Sequence, residues 1–324
     1  MKKYILLTVM AAVVGLCSVS CSEDELSNQS VITVDSNVSN TPFDQWLRVN
    51  YLLPYNIDFK WRYEDKESDM DFYTVPAEYD KAVKMAHLVK YLCLEAYDEV
   101  AGVDFTRAYF PKMIFTIGQW EFQNNGTFIL GTAEGGRKIL LTGINDLDLH
   151  INNTEELNHY YFKTIHHEFT HILNQTRDYS ADFKLITGNG YVADMWSESP
   201  YNGSDTLLVP RRVGGINNTY AFDTIQTTYY LKHGFISAYA QMEHVEDFAE
   251  MMSMYICYSP SQWAEWMRLA GTDGAAKLQA KLDVVKDYMQ TVWNIDLDAL
   301  RSTIQRRQKE ISENKVDLSD LTVE

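Results

Sequence analysis

Three histidines and one glutamate fall within six consecutive positions of "TIHHEFTHIL", residues 164–173. Its inner part, "HEFTH", fits H-E-x-x-H. On a helix, His167 and His171 stand four apart and project from one face, with Cβ atoms about 6 Å apart. Both imidazoles could then reach one Zn2+ at about 2.0–2.1 Å. Glu168 is turned about 100° away, poorly placed to ligate but able to reach a water beside the metal as general base. His166 is out of phase with this pair and is expected to face solvent or to support the site from outside.

Two histidines leave a hydrolytic zinc one protein ligand short. The stretch "HVEDFAEMMSMYICY" (244–258) supplies a second helix, with Glu246 and Glu250 on one face. Glu246 is the expected third ligand. Glu250, one turn later, is expected to accept the free N–H of a zinc histidine and so fix its tautomer. Asp247 and Glu243 read as solvated acids on the same helix. His87, His150, His159 and His233 have no metal spacing, while His244, two positions before Glu246, is expected near the cleft.

Over these segments the chain resembles the gluzincin metallopeptidases, in particular the branch containing anthrax lethal factor and the Mlc titration factor. That branch places its ligand glutamate in a Glu-x-Phe-Ala context, here "EDFA" at 246–249, and a tyrosine seven residues earlier, here Tyr239. The resemblance implies that the Tyr239 phenol helps to stabilise the oxyanion of a tetrahedral intermediate. More closely, "SVSC", "HHEFTHILNQ", "GFISAYA" and "EDFAEMMSMYI" together are similar to a family of zinc metallohydrolase lipoproteins. Those are encoded beside TonB-dependent nutrient importers and their substrate-binding partners. The similarity runs from about Thr41 to the "DLDALRSTIQRRQKEI" end. It implies a zinc peptidase acting on a peptide or protein, with a link to nutrient uptake. A non-catalytic or non-peptidase zinc-binding accessory of the importer stays open as the alternative.

The site needs elements to hold it. Asn153 and Glu156 have capping-box spacing ahead of the metal helix. Leu157, Tyr161, Ile165, Phe169 and Ile172 form its apolar stripe. Residues 77–100 predict a long helix, and "YNIDFKWRY" a strand. "TPFDQWLRVN" predicts a short capped helix, and 274–291 and 298–313 two late ones. From 112 to 142 the period falls to two, with Asn-Gly and Gly-Gly between the runs, which predicts a three-stranded meander. The expected fold is a zincin-like α+β domain over 41–324. One lobe (41–176) would hold a small twisted sheet and the metal helix; a mainly helical lobe (177–324) would return Glu246. One sheet edge, 127–133 or 137–142, is expected to line the cleft and to pair with an extended peptide.

The formal charge of -17 argues against a nucleic-acid partner, because no excess of lysine or arginine is available to neutralise phosphates. Residues 1–20 carry Lys2 and Lys3 and then an apolar run too short to span a bilayer, the pattern of an export signal. "SVSC" marks Cys21 as the expected lipidated residue, and polar 21–40 as a flexible tether to the membrane. This places the domain at the outer membrane or cell surface. Cys93 and Cys257 lie in apolar surroundings and are expected as buried thiols, with a disulfide as the other state.

Overall fold

Thr41 opens the fold: its hydroxyl caps α1 (Pro42–Leu47), and Asp44 reaches back to the Thr41 backbone N–H, closing a capping box. The computed structural model describes residues 40–69, 71–123, 128–134, 136–193 and 230–323. The export signal, Cys21 and the tether as far as residue 39 lie outside them, as does most of the polar excursion after residue 178. Helix α1 runs through a π-turn (Arg48–Leu52) into Leu53–Tyr55 and ends at the left-handed Asn56, before β1 (Asp58–Lys60). The long helix expected over 77–100 is α2 (Tyr79–Val89), a π-turn (Lys90–Leu94) and α3 (Glu95–Ala101), followed by α4 (Val103–Tyr109).

The sheet differs from the expected meander. Strands β2 (Met113–Thr116), β5 (Gly131–Glu134) and β6 (Lys138–Leu141) join β1 in the order β1-β2-β6-β5. β3 (Glu121–Phe122) and β4 (Phe128–Ile129) form a separate two-stranded hairpin. β5 and β6 pair antiparallel, but β2 runs parallel to both β1 and β6. The run 112–122 is therefore not one strand. It breaks after β2, where Ile117 bridges Pro76, the Gly118 N–H donates to Val75 O, and Gly118 O accepts from Asn145 N–H. Turn signals specify which runs form hairpins, but not the parallel partner that β2 finds across a helical crossover. Of the two edges proposed, β5 is the edge strand; β6 lies inside the sheet.

Asn153 caps α5 (Thr154–Leu157), which passes through a π-turn (Asn158–Phe162) into α6 (Lys163–Thr176). After α7 (Asp182–Thr187) the described chain resumes at Tyr230 and leads to α8 (His244–Cys257). Two long helical stretches close the fold, α9 (Pro260–Trp293), broken at Gly271, and α10 (Leu297–Ser312). α8 packs along α6. The buried Asn158 amide joins this pair to the C-terminus, donating to Cys257 O at 2.8 Å and accepting from Gln308 Nε2 at 2.7 Å. One continuous apolar core runs from Phe43 to Ile311, within the compact unit Thr41–Glu324. Cys93 and Cys257 are both buried free thiols. Among the described residues, no helix is long and apolar enough to cross a membrane.

Candidate metal centre

Helix α6 presents His167 and His171, and α8 brings Glu246 against them. His167 Nε2 lies 3.0 Å from His171 Nε2 and 2.9 Å from Glu246 Oε2, and His171 Nε2 lies 3.2 Å from the same oxygen. Tetrahedral donors about 2.0–2.1 Å from a zinc ion stand about 3.3 Å from one another, so this triangle is nearly of the size required. Among the described residues it is the cluster that could hold a metal, and it has three members. Two imidazoles and one carboxylate are the donor set of a catalytic zinc, which keeps its remaining position open. The triangle lies on the wall of a cleft of about 1870 Å³, shared with β5, Tyr239 and Trp266.

The surroundings favour positive charge at this point. Burial pulls the His167 imidazole down, but Glu246 and Glu250 outweigh it and hold its pKa up, to about 9. Burial pushes Glu246 up, yet His167 and His171 hold it down, to about 2. The buried Glu250 carboxylate is also kept ionised against burial, chiefly by Lys163 and His167. It accepts from Lys163 Nζ at 2.7 Å and from Ser237 Oγ at 2.7 Å. Glu250 Oε1 stands 2.9 Å from His167 Nδ1 as an ion-pair neighbour, but the expected hydrogen bond between them is not formed.

Glu168 Oε2 accepts the backbone N–H of Ala133 in β5 at 2.9 Å, which leaves Oε1 unclaimed by that bond. Burial raises its pKa, against the pull of His167 and His171, so the carboxylate is a stronger base than in water. Tyr239 stands on a 3-10 turn (Tyr239–Gln241), its ring 5.9 Å from the His167 ring. Burial, then Glu246, Glu250 and Glu168, raise its pKa, so it remains a protonated donor at neutral pH.

Two expectations need correction. His166 is fully buried, not solvent-facing: it sits on the core side of α6, with Nδ1 3.1 Å from Tyr97 Oη and Nε2 3.8 Å from Cys93 Sγ. Asp247 is likewise buried, because Lys281 from α9 reaches it in the core. Glu243 is exposed as expected, and His244 lines the cleft with Nδ1 2.6 Å from Tyr179 Oη. Lys163 and Ser237 also belong to the surroundings of this centre, through Glu250. The first carried a signal, since it stands four residues before His167 on the same helix; the second is placed only by the fold.

A domain of helices around a small sheet, with two histidines and a glutamate converging on an open cleft, defines a metallopeptidase-like protein. A family model described as "Putative zinc-binding metallo-peptidase" matches residues 36–298. A crystal structure bearing the same description, from Bacteroides caccae, is similar at 39% identity and a TM-score of 0.69, over 89% of this chain and 98% of that one. No curated protein matches. The chain belongs to this zinc-binding metallopeptidase family, and Zn2+ is its metal.

Proposed function

We propose that the chain hydrolyses peptide bonds as a zinc peptidase of the gluzincin type, with His167, His171 and Glu246 as ligands. The observation that carries this reading is the three-donor triangle on an open cleft with Glu168 tethered beside it. A purely structural zinc would need a fourth protein ligand, and the described cluster has three.

When bound, zinc supplies a Lewis acid that brings the pKa of a water toward ~7. Glu168 accepts the proton of the attacking water and delivers it to the leaving amine. Tyr239 donates its phenolic hydrogen toward the carbonyl oxygen as negative charge develops there. The "EDFA" context of Glu246 and the cleft position of Tyr239 support the lethal-factor-like branch. The free edge of β5 suits an extended substrate. Thr142 N–H donates to Leu130 O across the ladder, so by alternation Gly131 and Ala133 turn their backbone groups to the other side. Glu168 takes the Ala133 N–H, and the Gly131 N–H and both carbonyls remain for a peptide.

An unbiased peptide-library digest tests this, run with zinc-loaded protein, with chelated protein and with Glu168→Gln. Cleavage by the loaded wild type alone is the expected result; one equivalent of zinc with no cleavage would turn the reading to a zinc-binding accessory. "SVSC" supports lipidation at Cys21, and the resemblance to importer-linked zinc lipoproteins supports the partner, as a further part of the proposal. The enzyme works from the outer membrane or cell surface on a lipid at Cys21, beside a TonB-dependent importer and its binding lipoprotein. Incorporation of a labelled fatty acid that Cys21→Ser abolishes is the expected outcome, and an unlabelled wild type would sink it.

A further inference from the structure

Lys281 is a lysine with no exposed surface, in the middle of α9, and its carboxylate partner Asp247 has none either. Its ammonium donates to Asp247 Oδ2 and, at 2.7 Å, to the carbonyl of Gly234. Tyr191 adds a third strand to the knot, its hydroxyl donating to the same Oδ2 at 2.8 Å. Asp247 Oδ1 has no partner, so Oδ2 carries both bonds. The Phe235 ring lies 4.2 Å from the ammonium, with Phe183 and Tyr191 at 5.7 and 5.8 Å.

What this ammonium joins is the unusual part. Asp247 follows Glu246 on α8. Gly234 opens the "GFISAYA" stretch, which carries Ser237, a donor to Glu250, and then Tyr239. Tyr191 belongs to a segment whose next residue, Val192, donates its N–H to Gln241 O at 2.9 Å, just past Tyr239. α9 presses on the same turn at Gly274, where a Cβ would stand 2.2 Å from the carbonyl of Leu231. One buried charge therefore ties together the helix of the third ligand and the segment of the candidate oxyanion donor.

Stability alone does not call for a charge here. Desolvating an ammonium and a carboxylate costs about as much as their attraction returns, and apolar residues of similar volume commonly serve as well or better. An ion pair does differ from an apolar contact in direction: it is satisfied at one rotation of α8 and one height of the 230–241 segment. We propose that Lys281 is a positioning residue for the zinc centre. Acting through Asp247 and Gly234, it sets the rotation of α8 that aims Glu246 at His167 and His171, and the placement of the Tyr239 segment beside them. This rests on the zinc-site assignment above.

The test separates position from stability. Lys281→Met alone strands the Asp247 charge in the core and is expected to unfold readily, so it decides nothing by itself. The double variant Lys281→Met with Asp247→Leu removes both charges. Its thermal midpoint should recover well above that of Lys281→Met alone, while zinc retention against a competing chelator stays about tenfold weaker than wild type. The visible spectrum of its Co2+-substituted form, which reports ligand geometry, should differ from that of wild type. A stable double variant with wild-type zinc retention and spectrum overturns the proposal. Tyr191→Phe removes one of the two bonds on Oδ2 without leaving a charge unpaired, so it folds whatever the double variant does. It should show a smaller loss in the same direction, and an unchanged zinc retention and spectrum there also overturns the proposal. Failure of the site assignment looks different: wild type would then hold no zinc, or His171→Ala would hold it as tightly as wild type.

Discussion

Glu168 is anchored to the sheet: its carboxylate accepts the Ala133 N–H at 2.9 Å, which ties the candidate base to the edge strand of the cleft. Glu168→Gln keeps an oxygen for that bond but removes the carboxylate's charge and its ability to take a proton. The variant should bind zinc with wild-type stoichiometry while kcat for any cleaved peptide drops about 10²–10⁴-fold. Wild-type turnover by this variant would remove Glu168 from the mechanism.

Glu250 gathers Lys163, Ser237 and His167 at one buried carboxylate. Glu250→Gln leaves the Lys163 charge without its partner and weakens the support of His167 Nδ1. Zinc affinity should fall about 10–100-fold, measured by chelator competition, with the proposed ligands His167, His171 and Glu246 themselves unchanged. If affinity is unchanged, Glu250 has no part in orienting His167.

Asp44 makes stability depend on acid. Burial alone would raise its pKa, but hydrogen bonds from Arg62, the Thr41 backbone, Trp61 and the Thr41 hydroxyl outweigh it and hold the carboxyl well below its usual 3.8. A carboxylate with a depressed folded pKa contributes stability that is fully present above the unfolded value and is lost as pH falls through the folded one. Asp44→Asn should therefore be less stable than wild type at pH 7, by roughly 1–3 kcal/mol for a charge-assisted pair. The gap should narrow as pH drops below about 4. Urea midpoints at pH 7 and pH 3 give the comparison; a gap independent of pH would show that the Asp44 charge plays no part.

Gly143 has a left-handed φ of 68°, and a Cβ there would lie 2.2 Å from the Trp120 ring. Trp120 stacks at 5.8 Å on Tyr161, whose hydroxyl donates back to Gly143 O at 2.9 Å. This bracket holds the lead-in to α6. Gly143→Ala should lower stability by about 2 kcal/mol or more, seen as a drop in thermal midpoint. An unchanged midpoint would show that the bracket yields freely.

Several of these relationships were legible in sequence because they depend on local period. His167 and His171 share a face by helical spacing, and Glu246 and Glu250 repeat that logic on α8. Asp247 shows where the reading runs out: its acidity and position suggested solvent, and only a lysine 34 residues later explains its burial. His166 is similar. Adjacency says that it points away from the metal, but not that Tyr97 and Cys93, on a helix some 70 residues earlier, wait on that side. Turn residues announced the β3–β4 and β5–β6 hairpins, yet the parallel contacts of β2 arise from a crossover that no local pattern encodes.

The Asn158 clasp bears on the order in which the molecule assembles. One amide joins the approach to α6 with the end of α8 and with Gln308 near the C-terminus, across separations of 99 and 150 residues. Contacts that distant require large loops to close, which slows folding. Before α8 docks, His167 and His171 lack the Glu246 carboxylate and would make only a weak chelate. On the proposed ligand set, tight capture of zinc would therefore follow the docking of α8 on α6, and the metal would act as a latch on a finished structure more than as a seed for one.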